Sequence, residues 1–172
     1  EYYMAYKPYF PDKLSYIPEP VNTEENIFHQ KGAHPDSVSF FIGIQKLRSE
    51  IKGTDILYKV LKEVHKKYPK GCRILKAESV PYHQYTRMME GCDVILDQLY
   101  SYSPAMNALL AMSKGLVAVG GGEPEIYELL NETVDRPVIN VIPAEEDIYQ
   151  KLEHLILNKE KIAELSLSGR KF

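Results

Sequence analysis

Short apolar runs alternate with amphipathic stretches about five times along the 172 residues, which predicts an α/β protein. Two further features specify the sheet. The apolar runs are hydrophobic on both alternating sides, as strands covered on both faces require, and short links feed each run into a helical pattern. Strand followed by helix, repeated, calls for right-handed crossovers and hence a Rossmann-like parallel sheet with helices on both faces.

Residues 1–36 stand apart from this alternation. Tyr2, Tyr3, Tyr6, Tyr9, Phe10 and Tyr16 are interleaved with Pro8, Pro11, Pro18 and Pro20, and no period is visible. The prolines deny the segment long helices, while the aromatics suit packing against a neighbour. It reads as an interdomain connector lying on the domain formed by residues 37–172. The chain begins at Glu1 without Met and stops at Arg170-Lys171-Phe172 just after a helical pattern, which reads as a piece of a longer protein.

From Val38 the elements follow in order. VSFFIGI (Val38–Ile44) is a strand, and the polar, basic QKLRSEIKG is its exit loop. Thr54 is expected to cap a helix carrying Ile56, Leu57, Val60, Leu61 and Val64 at helical spacing, stopped by Pro69 and Gly71. Cys72 to Ala77 is a second strand, with Glu78-Ser79-Val80 as exit. Pro81 opens a helix with Tyr82, Tyr85, Met88 and Met89, ending at Gly91. Asp93 to Leu96 is a third strand, and Asp97 to Ser103 a polar loop. Ser103 as N-cap and Pro104 at the first helical position predict a helix from Pro104 to Lys114, apolar almost all round and therefore buried. Leu116 to Val119 is the fourth strand, leading through Gly120, Gly121 and Gly122 to a helix opened by Pro124. PVINVI (137–142) is the fifth strand, followed by helices over Glu145–Leu157 and Lys159–Leu167.

Bulk properties exclude several functions. A 44% hydrophobic and 26% charged chain is an ordinary globule, and a net charge of −3 gives no global attraction to nucleic acid or an anionic membrane. No apolar run reaches the ~20 residues of a membrane span. Cys72 and Cys92 read as buried free thiols of a reducing cytoplasm. His29, His34, His65, His83 and His154 lack metal-ligand spacing, so no metal is expected. GxSxG, HExxH and CxxC are absent, and no glycine fingerprint follows the first strand, which speaks against a dehydrogenase.

Strand-exit loops of a parallel sheet share one edge, where ligands bind. Pooled there are Arg48 and Lys52; Glu78, Ser79 and Val80; Asp97, Gln98, Tyr100, Ser101, Tyr102 and Ser103; and Gly120, Gly121, Gly122, Glu123 and Glu125. Cations, helix N-termini and carboxylates together suit a ligand with a central diphosphate and hydroxyl-rich ends. Each piece also has a plainer reading: surface charge for Arg48 and Lys52, a tight turn for the glycines, and a helix-dipole preference for Glu123 and Glu125.

IKGTDIL after the first strand, CDVILDQL, LLAMSKG leading into LVAV, and GGGEPEIYELL occur in a telling order. Residues 38–172 thereby resemble the C-terminal, donor-binding domain of GT-B glycosyltransferases, specifically the retaining family 4 group, whose pieces read KG-D-LL, a-Dv-v-PS, lEAMA-G-PVV and GG-PE. The resemblance implies a nucleotide-diphosphate-sugar as donor substrate, no other cofactor, and an N-terminal acceptor domain of the same protein as partner. It implies transfer to a glycan or lipid-linked acceptor, in the cytoplasm or peripherally at the inner membrane. The leaving diphosphate would be steadied by Arg48 and Lys52, and the base would meet Ser79 and Val80. Tyr102, Ser103, Asn107, Gly121, Gly122, Glu123 and Glu125 complete the implied donor site. The family's E-x7-E glutamates fall on Tyr102 and Leu110, so both are missing. A non-catalytic binding module on a degenerate transferase scaffold is the alternative reading.

Overall fold

A computed structural model describes residues 2–24, 26–29 and 36–172. Glu1, His34 and the other parts of the predicted connector at 25 and 30–35 lie outside the described residues. Five strands form one all-parallel sheet: β1 (Val38–Ile44), β2 (Cys72–Glu78), β3 (Val94–Leu96), β4 (Val117–Gly120) and β5 (Ile139–Asn140). Their spatial order is β2-β1-β3-β4-β5. The chain steps from β1 outward to β2, then returns past β1 to β3. The exits of β1 and β3 therefore diverge to opposite faces and leave a crevice between them.

The helices are α1 (Tyr2–Tyr6), α2 (Ser49–Lys52), α3 (Thr54–Lys67), α4 (Tyr82–Glu90), α5 (Met106–Ser113), α6 (Pro124–Leu129), α7 (Glu145–Leu157) and α8 (Lys161–Lys171). Period-two alternation sends the strands' side chains to two cores. Val38, Phe40, Ile42, Val94, Leu96, Val117 and Val119 meet Leu57, Leu61 and Val64 of α3 and Ile148, Leu152 and Leu155 of α7. Phe41, Ile95 and Ala118, facing the other way, meet Met89 of α4 and Ala108, Ala111 and Met112 of α5. Both faces are covered, as the apolar strands require. Cys72 and Cys92 are free and buried, and burial pushes the Cys72 thiol up to about 12.

Several boundaries differ from the expectation, each for a visible reason. Ser103 does not cap α5. The helix starts at Met106 after an extended Ala105 (φ −87°, ψ 171°), because the preceding residues are engaged elsewhere. The Ser101 hydroxyl donates to the Ser103 carbonyl at 2.7 Å, and the Glu123 N–H donates to the Tyr102 carbonyl at 3.0 Å. Thr54 is the first residue of α3 rather than its cap. Its hydroxyl pairs with that of Ser49 at 3.0 Å, and Gly53 precedes it at φ 67°. The basic loop after β1 is itself helical, a 3₁₀ turn (Lys46–Arg48) running into α2. β5 keeps only two residues of PVINVI. Pro137 has no N–H, and that of Val138 is turned toward the Tyr127 hydroxyl at 3.4 Å. The last helix begins at Lys161 and runs to Lys171.

The described parts of residues 1–29 lie against α5, α6 and α8. Arg170 donates to the carbonyls of Thr23 (3.0 Å) and Ser113 (2.9 Å), and the His29 N–H reaches the Lys114 carbonyl at 3.4 Å. α1 is a single turn, in keeping with the proline content. No helix among the described residues is long and apolar enough to cross a membrane.

Candidate functional site

Of the cavities among the described residues, two at the edge where the strands end hold most of the expected site residues. The first, about 330 Å³, occupies the β1/β3 crevice and is lined by Gly43, Ile44, Gln45, Lys52, Thr54, Ala77, Ser79, Val80, Tyr82, Tyr85, Asp97 and Asn107. The fold positions these residues by loop-to-loop hydrogen bonds. The Leu99 N–H donates to the Lys52 carbonyl at 2.8 Å, tying the basic loop to the β3 exit. Gly53 makes that approach feasible, since a Cβ there would sit 2.6 Å from Leu99 Cβ. Ser79 holds φ 50°, a left-handed conformation uncommon for a residue with a side chain, and its N–H donates to the Ile44 carbonyl at 3.1 Å. Backbone strain of this kind concentrates at functional sites.

A directed hydrogen-bond chain forms one wall. The Tyr85 hydroxyl donates to Asn107 Oδ1 at 2.9 Å, and Asn107 Nδ2 donates to Asp97 Oδ1, also at 2.9 Å. Tyr85 reaches this position because β1 carries Gly43 as its last residue but one, where a Cβ would lie 2.5 Å from the ring. Its ring also meets Phe41 edge-on, with centroids 4.9 Å apart. Asp97 is buried, 6% exposed. Burial pushes its carboxyl above the usual range, partly offset by the Asn107 hydrogen bond and the charge of Lys52. Burial likewise pushes the Tyr85 phenol up to about 12. At the β2 exit, Glu78 is held low by its hydrogen bond to Lys76 (2.6 Å), with Lys46 3.6 Å away.

The second cavity, about 310 Å³, lies on the α6 side. Tyr102, Ser103, Glu125, Ile126 and Leu129 line it together with Tyr3, Met4 and Tyr16 of the N-terminal segment. The glycine loop lines neither cavity and packs against the β3 exit loop and β5. A Cβ at Gly121 would sit 2.1 Å from the Ser101 carbonyl oxygen, and the Gly122 N–H donates to Asn140 Oδ1 at 3.0 Å. The close approach permitted by Gly121 is thus made by the neighbouring loop of the protein itself.

The expected donor residues consequently divide. Lys52, Ser79, Val80 and Asn107 share the crevice cavity; Tyr102, Ser103 and Glu125 share the other. Gly121, Gly122 and Glu123 line neither. Arg48, at the end of the 3₁₀ turn, is exposed and lines neither cavity. Among the described residues no group of three or more side chains is arranged to hold a metal ion. Sequence reasoning pooled Asp97 with the strand-exit residues without assigning it to the donor site, and read Tyr85 only as a helix residue. A lone carboxylate directly after the apolar run CDVIL was the available signal for Asp97. Nothing local marked Tyr85, which reaches Asn107 only through the packing of α4 beside α5.

With this geometry in hand, the fold is that of the C-terminal domain of GT-B glycosyltransferases, as the resemblance implied. Three solved structures are similar to it in particular. The C-terminal domain of the glycosyl transferase group 1 family protein LpcC from Francisella tularensis matches with a TM-score of 0.61 and 16% identity, over 88% of this chain and 95% of that one. The pneumococcal O-GlcNAc transferase GtfA, in complex with UDP and GlcNAc, matches with a TM-score of 0.59 and 15% identity, over 98% of this chain and 40% of that one. WaaG, a glycosyltransferase involved in lipopolysaccharide biosynthesis, matches with a TM-score of 0.52 and 11% identity, over 81% of this chain. This chain spans 43% of the length of WaaG. No protein-family model and no curated protein matches the sequence.

Proposed function

We propose that the chain is the donor-binding half of a retaining, metal-independent glycosyltransferase, taking a nucleotide-diphosphate-sugar and transferring its sugar to a glycan or lipid-linked acceptor. The observation that carries this reading is the crevice cavity, where Lys52 and the backbone at Ser79–Val80 face the same space as Asp97 and Asn107. Lys52, joined by Arg48 from the same loop, offers positive charge to a departing diphosphate. Charge developing on a leaving group is most strongly stabilised by donors already in place, commonly ~3 kcal/mol for one. The base sits at Ser79 and Val80. The sugar lies toward Tyr102, Ser103, the Gly121–Glu123 loop and Glu125. Acceptor binding belongs to an N-terminal domain of the same protein, working in the cytoplasm with peripheral attachment at the inner membrane.

Calorimetric titration of the chain with UDP, GDP and ADP, then with their sugar conjugates, tests the reading. Saturable binding that weakens in an Arg48→Ala/Lys52→Ala variant is the expected result; no nucleotide binding to the wild type overturns it. One observation favours a second reading: Tyr102 and Leu110 stand where the family has its two glutamates, which fits a binding module without turnover. Sugar transfer by the full-length protein separates the two.

A further inference from the structure

We infer that Asp97 is the residue that selects a hydroxyl-bearing ligand, accepting hydrogen bonds from a vicinal diol next to the ligand's anionic group. This inference rests on the proposed nucleotide-sugar reading and names the group in that site that reads the hydroxyls.

The direction of the hydrogen-bond chain is the first reason. An ionised Asp97 can only accept, so Asn107 turns its amide hydrogens to Asp97 Oδ1 and its own Oδ1 to the Tyr85 hydroxyl, which donates. Asp97 thus stands as an acceptor in this wall. A carboxylate has about four lone-pair sites, and the side chains of Asn107 and Gln98 use only part of them. The second reason is cost. A buried carboxylate is unfavourable unless paired, and Asp97 has no ion pair within 4.0 Å among the described residues. A ligand donor would add a hydrogen bond at the lone-pair sites that Asn107 and Gln98 leave open. The third is surroundings. Asp97 is the sole carboxylate lining this cavity among the described residues, and Lys52 lines it too. An anion drawn to Lys52 therefore brings its adjoining hydroxyls to an acceptor. Leu110, by contrast, cannot accept a hydrogen bond.

A diol can come from the nucleotide's ribose or from the transferred sugar, and the arms of the test distinguish them. The chain is titrated calorimetrically with UDP and GDP, with their 2′-deoxy analogues, and with UDP-glucose against UDP-2-deoxyglucose. Wild type should prefer the hydroxylated member of one pair by roughly ten- to a hundredfold, the range for a hydrogen bond to a charged group. Asp97→Asn should reduce that preference to within about threefold. Preference lost in the ribose pair assigns the diol to the nucleotide; in the hexose pair, to the sugar. Tyr85→Phe, which frees Asn107 to turn, should lower the preference for the hydroxylated ligand partway. It provides the answer if Asp97→Asn does not fold, as judged by its thermal melt. Binding with equal preference in wild type and both variants overturns the role of Asp97 alone. Absence of any nucleotide binding overturns the functional reading and this one with it.

Discussion

The two cavities at the sheet edge are similar in volume and differ in how their walls are held. The crevice cavity is walled by β-strand exits, α3, α4 and α5, with its polar groups joined in the Tyr85–Asn107–Asp97 chain. The α6-side cavity takes part of its wall from residues 3, 4 and 16, and its Tyr102 is 62% exposed. Tyr3 and Tyr16 meet edge-on at 6.1 Å. One cavity thus belongs to the sheet core, where moving a side chain disturbs buried partners. The other depends on a segment that makes few buried contacts. Fixed polar groups suit discrimination between chemically close ligands, whereas an aromatic wall suits looser contact with a sugar face.

The largest effect is expected at the glycine loop. Gly121→Ala would drive a Cβ into the Ser101 carbonyl, and neither is a flexible side-chain end. We expect a loss of ~3 kcal/mol and a fall in Tm of roughly 6–12 °C by calorimetry. Asn107→Leu comes next. It leaves Asp97 and the Tyr85 hydroxyl without the partner between them, which should destabilise the fold by about 2 kcal/mol. Tyr102→Ala, on the exposed side, should change stability by less than about 0.5 kcal/mol in the same calorimetric measurement. For binding, Lys52→Ala should weaken a nucleoside diphosphate by roughly tenfold or more, while Arg48→Ala alone costs less than about threefold.

The smallest effect is a pH dependence. Burial raises the Asp97 carboxyl, so the folded chain holds that proton more tightly than the unfolded one. Wild-type stability therefore falls as pH rises from the ordinary Asp value, about 3.9, through the raised folded value. Asp97→Asn removes this dependence. Its Tm should exceed that of wild type by a few degrees at neutral pH, with the gap closing below the ordinary carboxylate range. The neighbours acting on this titration are Asn107, Lys52 and Gln98, which oppose the shift, and Glu19, which adds to it. A gap unchanged by pH would assign the gain to packing.

The fold was legible because burial leaves a periodic mark. The bounds Val38–Ile44 and Glu145–Leu157 match the sequence reading residue for residue, and Leu57, Val60, Leu61 and Val64 all lie in the core. What failed were the inferences from single capping residues. Ser103 and Thr54 have the right chemistry for caps, yet Ser101, Glu123 and Ser49 lay first claim to their surroundings. Such competition is non-local and leaves no trace in spacing. The site divides in the same way. Lys52, Ser79 and Val80 were readable as strand-exit residues, whereas the partnership of Tyr85 with Asn107 spans 22 positions and arises only once α4 and α5 are packed on one face.

Arg170 grips two carbonyls at once, that of Thr23 in the leading segment and that of Ser113 at the far end of α5. α5 is a short rod of about 12 Å, and Asn107 sits near its other end. Tension on the leading segment would therefore be delivered, through one guanidinium, to the shaft that aims the amide at Asp97.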